Sequence, residues 1–186
     1  MTAIVRLSLP RDRFALDAHF AALGTEDLCN RFCHPVKPEA VTTYLDQCSA
    51  AGIPSYGIFN PDRALIAVGQ LAQSEEELEV GLSVLPTYRR KGLALALLYR
   101  SASYARARGL KALIIHCRAN NMPMLSLAHR IGMTVEISSG EADGRLTLRA
   151  ATALDFWREI ADEQESLAKS VADSVVKGWQ LAVWGA

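Results

Sequence analysis

The chain has 186 residues, 50% apolar and 22% charged, with twenty Lys and Arg against twenty Asp and Glu. That suits one globular domain with an appendage, long enough to fold without a metal or disulfide staple. Zero formal charge argues against bulk electrostatic capture of nucleic acid. MTAIVRLSLPRDRF lacks an apolar signal core and no run reaches membrane length, so a soluble, cytoplasmic protein is expected.

A first strand is expected over 3–9. Pro10 and Asp12 then open a helix in which Phe14, Leu16, His19, Phe20 and Leu23 fall near helical spacing, until Gly24 stops it. Thr25, Glu26 and Asp27 start a short helix to Phe32. His34-Pro35 breaks it, and Pro38-Glu39 begins another, through Cys48. Apolar runs at 54–59 and 63–71 flank Asn60-Pro61-Asp62 and read as a hairpin; a strand over 77–85 follows. Gly92 leads into a helix whose inner face is Leu93, Leu97, Leu98, Ala102 and Ala105, closed by Gly109. The unbroken apolar run in 111–117 predicts a buried strand, and a helix over 120–130 ends at Gly132. Short strands at 134–138 and 145–149 are expected, joined by a loop over 140–144. This order implies an α/β layer with a crossover.

Beyond Arg149 the character changes, dividing the chain into a domain over 1–150 and an extension over 151–186. Leu154, Trp157, Ala161, Leu167, Val171, Val175 and Trp179 form a stripe at spacings near three and four. One long amphipathic helix is expected, docked by that stripe on the parent domain or on a second copy as a homodimer.

Cys29, Cys33 and His34 lie close together, but no second Cys/His pair follows at ligand spacing, so no metal is expected and the thiols read as small apolar side chains. From Val80 to Val135 there is no Asp or Glu, yet there are nine Lys and Arg. Arg106 and Arg108 read as a solvated helix face. The Arg89-Arg90-Lys91 cluster reads differently, because it lies where a strand turns through Gly92 into a helix. Such a turn presents unpaired backbone N–H groups and the positive end of the helix dipole, a seat for an anion. Neither the P-loop nor the dinucleotide-binding glycine pattern is present.

Residues 84–94, VLPTYRRKGLA, resemble the acyl-CoA-binding motif of the GNAT superfamily of N-acetyltransferases, whose pattern Gln/Arg-x-x-Gly-x-Gly/Ala is met by Arg89, Gly92 and Ala94. Residues 121–133, NMPMLSLAHRIGM, resemble the family's second segment, in which Asn begins a helix that Gly follows. The resemblance implies a mixed α/β, mostly antiparallel sheet of six to seven strands flanked by helices, with 151–186 outside the shared fold. It implies acetyl-CoA as acyl donor: the backbone of Leu82, Ser83 and Val84 pairs with the pantetheine arm, Arg89, Arg90, Lys91, Gly92, Leu93 and Ala94 hold the pyrophosphate, and Asn121 meets the cofactor near the thioester. The stretch ELEVGLSV and the helix after Asn121 are most similar to the bacterial protein-lysine acetyltransferase type.

Acetyl transfer needs a neutral amine, and deprotonating a lysine-like amine at pH 7 costs about 4–5 kcal/mol, so a positioned base is expected. Glu79, five residues before Val84, stands where part of the family carries its catalytic carboxylate. His116, at a strand end five residues before Asn121, is the second candidate. Cys117 points the opposite way by strand parity. Many members carry a Tyr, as acid to the thiolate, where this chain has Ala128; Ser126 is a substitute to consider. Glu75, Glu76, Glu77 and Glu79 together would suit a cationic acceptor. The expected activity is acetyl transfer to a primary amine, on a protein lysine or a small molecule; the alternative is a catalytically weak acetyl-CoA-binding regulatory module.

Overall fold

The computed structural model describes residues 3–8, 11–50, 52–157, 159–161, 164 and 168. Its elements, in chain order, are β1 (Ile4–Leu7), α1 (Arg13–Ala21), α2 (Thr25–Phe32), α3 (Pro38–Ala50), β2 (Ser55–Phe59), β3 (Leu65–Gln73), β4 (Glu77–Val84), α4 (Leu93–Ala107), β5 (Ala112–Arg118), α5 (Met122–Arg130), β6 (Thr134–Ser138) and β7 (Glu141–Thr147). They form a seven-stranded sheet of order β1-β2-β3-β4-β5-β7-β6, antiparallel everywhere except between β4 and β5. The apolar run Leu65–Leu71 is buried throughout, because helices cover both faces of β3. On one face Leu97, Leu98, Ala102 and Ala105 of α4 and Ala128 of α5 pack against Ile58, Leu78, Val80 and Leu113. On the other, Leu16 and Phe20 of α1, Leu28 of α2, and Val41 and Leu45 of α3 pack against Leu65 and Val68.

One pairing decides where a site can form. β4 and β5 are in register only from Glu77↔Ala112 to Glu79↔Ile114, after which the two strands diverge and leave a wedge beside 80–84. The neighbouring β3–β4 ladder continues to Ala67↔Val84, so β4 stays rigid along the wedge.

The final hairpin differs from expectation. Residues 141–144 are strand rather than loop, since Ser139 (φ 52°) and Gly140 (φ 87°) make a two-residue turn of the type that matches sheet twist. Gly144 sits inside that strand because the Ile115 side chain occupies the space a Cβ would take, at 2.7 Å. Phe14 also departs from expectation, being 85% exposed while Leu16 and Phe20 are buried.

Residues 153–157 and 159–161 are helical, and most of the predicted long helix lies outside the described residues. The described part docks by its acids, not by its apolar stripe. Glu159 is buried on Arg100 (2.6 and 3.1 Å), with Arg108 at 3.7 Å; Asp155 is buried on Arg149 (2.6 and 2.7 Å), with Arg106 at 3.5 Å. Arg106 and Arg108 are therefore not merely a solvated face. Leu154 and Trp157 point to solvent. Thr152 and Asp155 cap the segment reciprocally: the Thr152 N–H donates to Asp155 Oδ2, and the Asp155 N–H donates to Thr152 Oγ1. Among the described residues, no helix is long and apolar enough to cross a membrane.

Candidate active site

The wedge opens into a cleft of about 1260 Å³, walled by β4, the start of α4, the end of β5, α5, and residues of α2 and α3. At one end lies the strand-to-helix turn. Gly92 takes a left-handed conformation (φ 78°) with open space where a Cβ would be, so its backbone angle, not crowding, asks for glycine. Arg90 is left-handed as well (φ 61°). The first backbone bond of α4 is Ala96 N–H to Gly92 C=O (3.0 Å), which leaves the N–H groups of Leu93, Ala94 and Leu95 as the helix's orphan donors beside the cleft. No acidic residue occupies that first turn. The turn is built to hold an anion.

The strand edge leads from there toward the chemistry. The Val84 carbonyl faces the wedge, where it accepts from Arg89 Nε (3.1 Å), and by the period of two the Leu82 main chain faces the same way. The Ser83 side chain turns to the other face, against His19 (2.8 Å). Asn121 lines the cleft and caps α5, its side-chain oxygen accepting from Met124 N–H (3.2 Å).

Both candidate bases reach this cleft. His116 Nε2 stands 4.0 Å from Glu79 Oε2, and His116 Nδ1 is 2.5 Å from Asp143 Oδ1. With Nδ1–H donating to Asp143, the other ring nitrogen, Nε2, faces Glu79 and the cleft. All three side chains are about half exposed, so water reaches them. The Cys117 side chain packs with Leu125 and Ala142 and is 2% exposed; burial pushes its thiol up to about 11, which leaves it a poor nucleophile.

Of the twelve residues picked from the sequence, Lys91 alone does not line the cleft; its ammonium lies over the Tyr88 ring at 5.0 Å. Arg89 does line it, but its guanidinium is tied to Asp27 (2.7 Å), so its charge is partly spent within the protein. The acidic cluster disperses: Glu76 bonds Lys111, Glu77 pairs with Arg145 (2.5 Å), and of the four acids Glu79 alone lines the cleft. Ala128 is fully buried in the core and supplies no acid, whereas Ser126 lines the cleft. Asp143 was not anticipated. Its register opposite His116 follows from the Ser139-Gly140 turn, and that dipeptide is the signal that would have found it.

A wedge between diverging parallel strands, with orphan N–H donors at one end and a carboxylate–imidazole pair in its wall, has the length and polarity to take an extended anionic ligand. The model of the acetyltransferase (GNAT) family matches residues 25–133. The chain belongs to the GNAT acetyltransferase family, and is an acyltransferase whose acetyl donor is acetyl-CoA. Among solved structures, it is similar to the GNAT domain of S. lividans PAT at 19% identity and a TM-score of 0.65, over 78% of this chain and 89% of that one. It is similar to an N-acetyltransferase from Staphylococcus aureus Mu50 at 16% identity and 0.62, over 80% and 100%. A phosphinothricin acetyltransferase from Sinorhizobium meliloti, solved with acetyl-CoA, gives 17% identity and 0.61, over 82% and 92%. At such identities these likenesses speak for the fold alone. No curated protein matches the chain.

Proposed function

We propose that this protein transfers the acetyl group of acetyl-CoA to a primary amine by direct attack, with Glu79 and His116 as the base. The observation that carries the reading is the Glu79–His116–Asp143 line-up in the wall of the cleft that begins at the anion-binding turn. The pyrophosphate rests on the α4 N-terminus, with Arg90 beside it, and the pantetheine arm runs along the exposed edge of Leu82–Val84 to Asn121. The amine nitrogen attacks the thioester carbonyl, its proton passes to His116 Nε2 or Glu79, and the C–S bond breaks to release CoA thiolate.

Ala128 stands where many family members carry the Tyr that protonates the thiolate. With a thiol pKa near 8.5, protonating it matters by only about 2 kcal/mol at pH 7, which water or Ser126 can meet. The base is worth more than the acid, and the approach of Glu79 to His116 in the cleft wall supports that reading. Acceptors of the bacterial protein-lysine acetyltransferase type and small-molecule amines both fit this scheme.

Glu79→Gln should lower kcat by about 100-fold, within the usual range for a general base, while changing acetyl-CoA affinity less than about threefold. Equal loss of both would remove Glu79 from the chemistry. Binding of acetyl-CoA with no thiol release from any amine or lysine peptide would favour the regulatory module instead.

A further inference from the structure

We infer that the acceptor carries a carboxylate next to its amine, held by Arg31, so that the substrate is a free amino acid or a close analogue; the inference rests on the acetyl-transfer reading above. Arg31 extends from α2 into the same cleft and lays its guanidinium on Gly81 of β4. A Cβ at Gly81 would lie 2.2 Å from Cζ and Nη2, so a larger residue there would push the guanidinium out of this position. The guanidinium is firmly aimed. Nη2 donates to the Tyr44 hydroxyl (2.9 Å) and to Gln70 Oε1 (3.0 Å), Tyr44 also donates to Gln70 (3.1 Å), and the Phe32 and Tyr44 rings lie 5.0 and 5.6 Å from Cζ.

Every one of those partners is neutral. Among the described residues no carboxylate lies within ion-pair distance of Arg31, Nε is buried without a partner, and Nη1 has no hydrogen bond. Other inward cations are treated differently: Arg100 has Glu159, Arg89 has Asp27 and Arg13 has Asp17. A half-buried cation held in place without a counter-charge gains from a ligand that brings one, and Nη1, which has no hydrogen bond, is the donor such a carboxylate would meet.

Spacing adds the second half of the argument. Glu79 lies two residues before Gly81 on the same face of β4, roughly 7 Å along the strand. One cleft wall therefore carries a base for an ammonium group and, a few bonds away, a cation for an anionic one. That pattern fits a compact zwitterion and disfavours a polyamine or a lysine side chain on a protein, neither of which offers an anion at that distance.

The test is CoA release by the wild-type protein with the twenty free L-amino acids, each against its own amide, and with a lysine peptide. At least one free amino acid should exceed its amide in kcat/KM by about 100-fold, the scale expected when a buried charge pair loses one partner. The amide's less basic amine is easier to deprotonate, so the chemistry itself works against this result. Arg31→Met should bring the acid-to-amide ratio close to one with acetyl-CoA affinity changed less than threefold, and Arg31→Lys should restore part of the ratio. Should these variants not fold, the wild-type ratio decides alone. Amides or lysine peptides used as well as free acids, no free acid used at all, or Arg31→Met lowering acids and amides alike would overturn the assignment; the last would mark Arg31 as an oxyanion contact or a strut. A protein that turned over amides but not acids would lose this inference and keep acetyl transfer, whereas failure to bind acetyl-CoA would remove both.

Discussion

His19 offers a sharp test of how the sheet and its first helical layer are joined. The ring is 2% exposed; its Nδ1–H donates to the Leu65 carbonyl (2.8 Å) and its Nε2 accepts from the Ser83 hydroxyl (2.8 Å), tying α1 to β3 and β4 behind the cleft. Burial pushes its pKa from 6.5 down to about 4, against the opposing pull of the Leu65 carbonyl. The unfolded chain therefore binds a proton that the folded chain refuses. Stability from this group is complete above pH 6.5 and falls as pH drops through the interval between 6.5 and about 4. At 1.36 kcal/mol per pH unit, roughly 2 kcal/mol is lost by about pH 5 and roughly 3 kcal/mol by about pH 4. The 2 kcal/mol corresponds to about 4–8 °C in Tm for a chain of this size. Urea unfolding of the wild type and of His19→Asn, at about pH 7.5 and about pH 5, isolates the effect, because other titrating groups cancel in the difference. The variant should be less stable at the higher pH, and the gap should shrink by about 2 kcal/mol at the lower. Parallel losses in the two proteins would show that His19 is not held neutral and would refute the reasoning.

Asp143→Ala removes the acceptor on His116 Nδ1. Because Asp143 is 63% exposed and water can partly replace it, kcat should fall by about 10- to 100-fold with acetyl-CoA affinity unchanged in a thiol-release assay; unchanged kcat would remove Asp143 from the catalytic line-up. Glu159→Ala removes the paired carboxylate from Arg100, whose side chain is 9% exposed and stacked on Tyr56 at 4.4 Å. It should destabilise the fold by about 3 kcal/mol, or about 6–12 °C by calorimetry, while replacing both partners with Met should recover most of the loss. Equal Tm values for Glu159→Ala and wild type would mean that the C-terminal segment is not docked by its acids.

What could be read from the chain was local. The Asn60-Pro61-Asp62 turn, the buried run of β5 and the Gly92 turn each depend on neighbouring residues, and each formed where expected. The strand carrying Glu79 and the one carrying His116 were also legible, but their meeting at 4.0 Å depends on the parallel β4–β5 pairing. Three features depended on distant partners. Asp155 and Glu159 dock the described start of the extension on Arg149 and on Arg100 of α4, a pairing of distant residues that the apolar stripe through Leu154 and Trp157 did not signal. Asp143 was concealed by reading 140–144 as a loop. Arg31 lies on a helix that the sequence marks only by its ends, and its place against Gly81 depends on the distant contact between α2 and β4.

Acetyl transfer in this cleft requires acetyl-CoA to rest its diphosphate on the turn at Gly92. Isothermal titration of acetyl-CoA into the folded protein at two temperatures, beside Gly92→Val, tests this directly. A Cβ at 92 meets no atom within 4 Å, so the variant should fold, and the left-handed backbone it must adopt should weaken binding by about tenfold. One-to-one binding to the wild type, weakened in the variant, is the predicted result. No binding by the wild type, or equal affinity in both proteins, would contradict it.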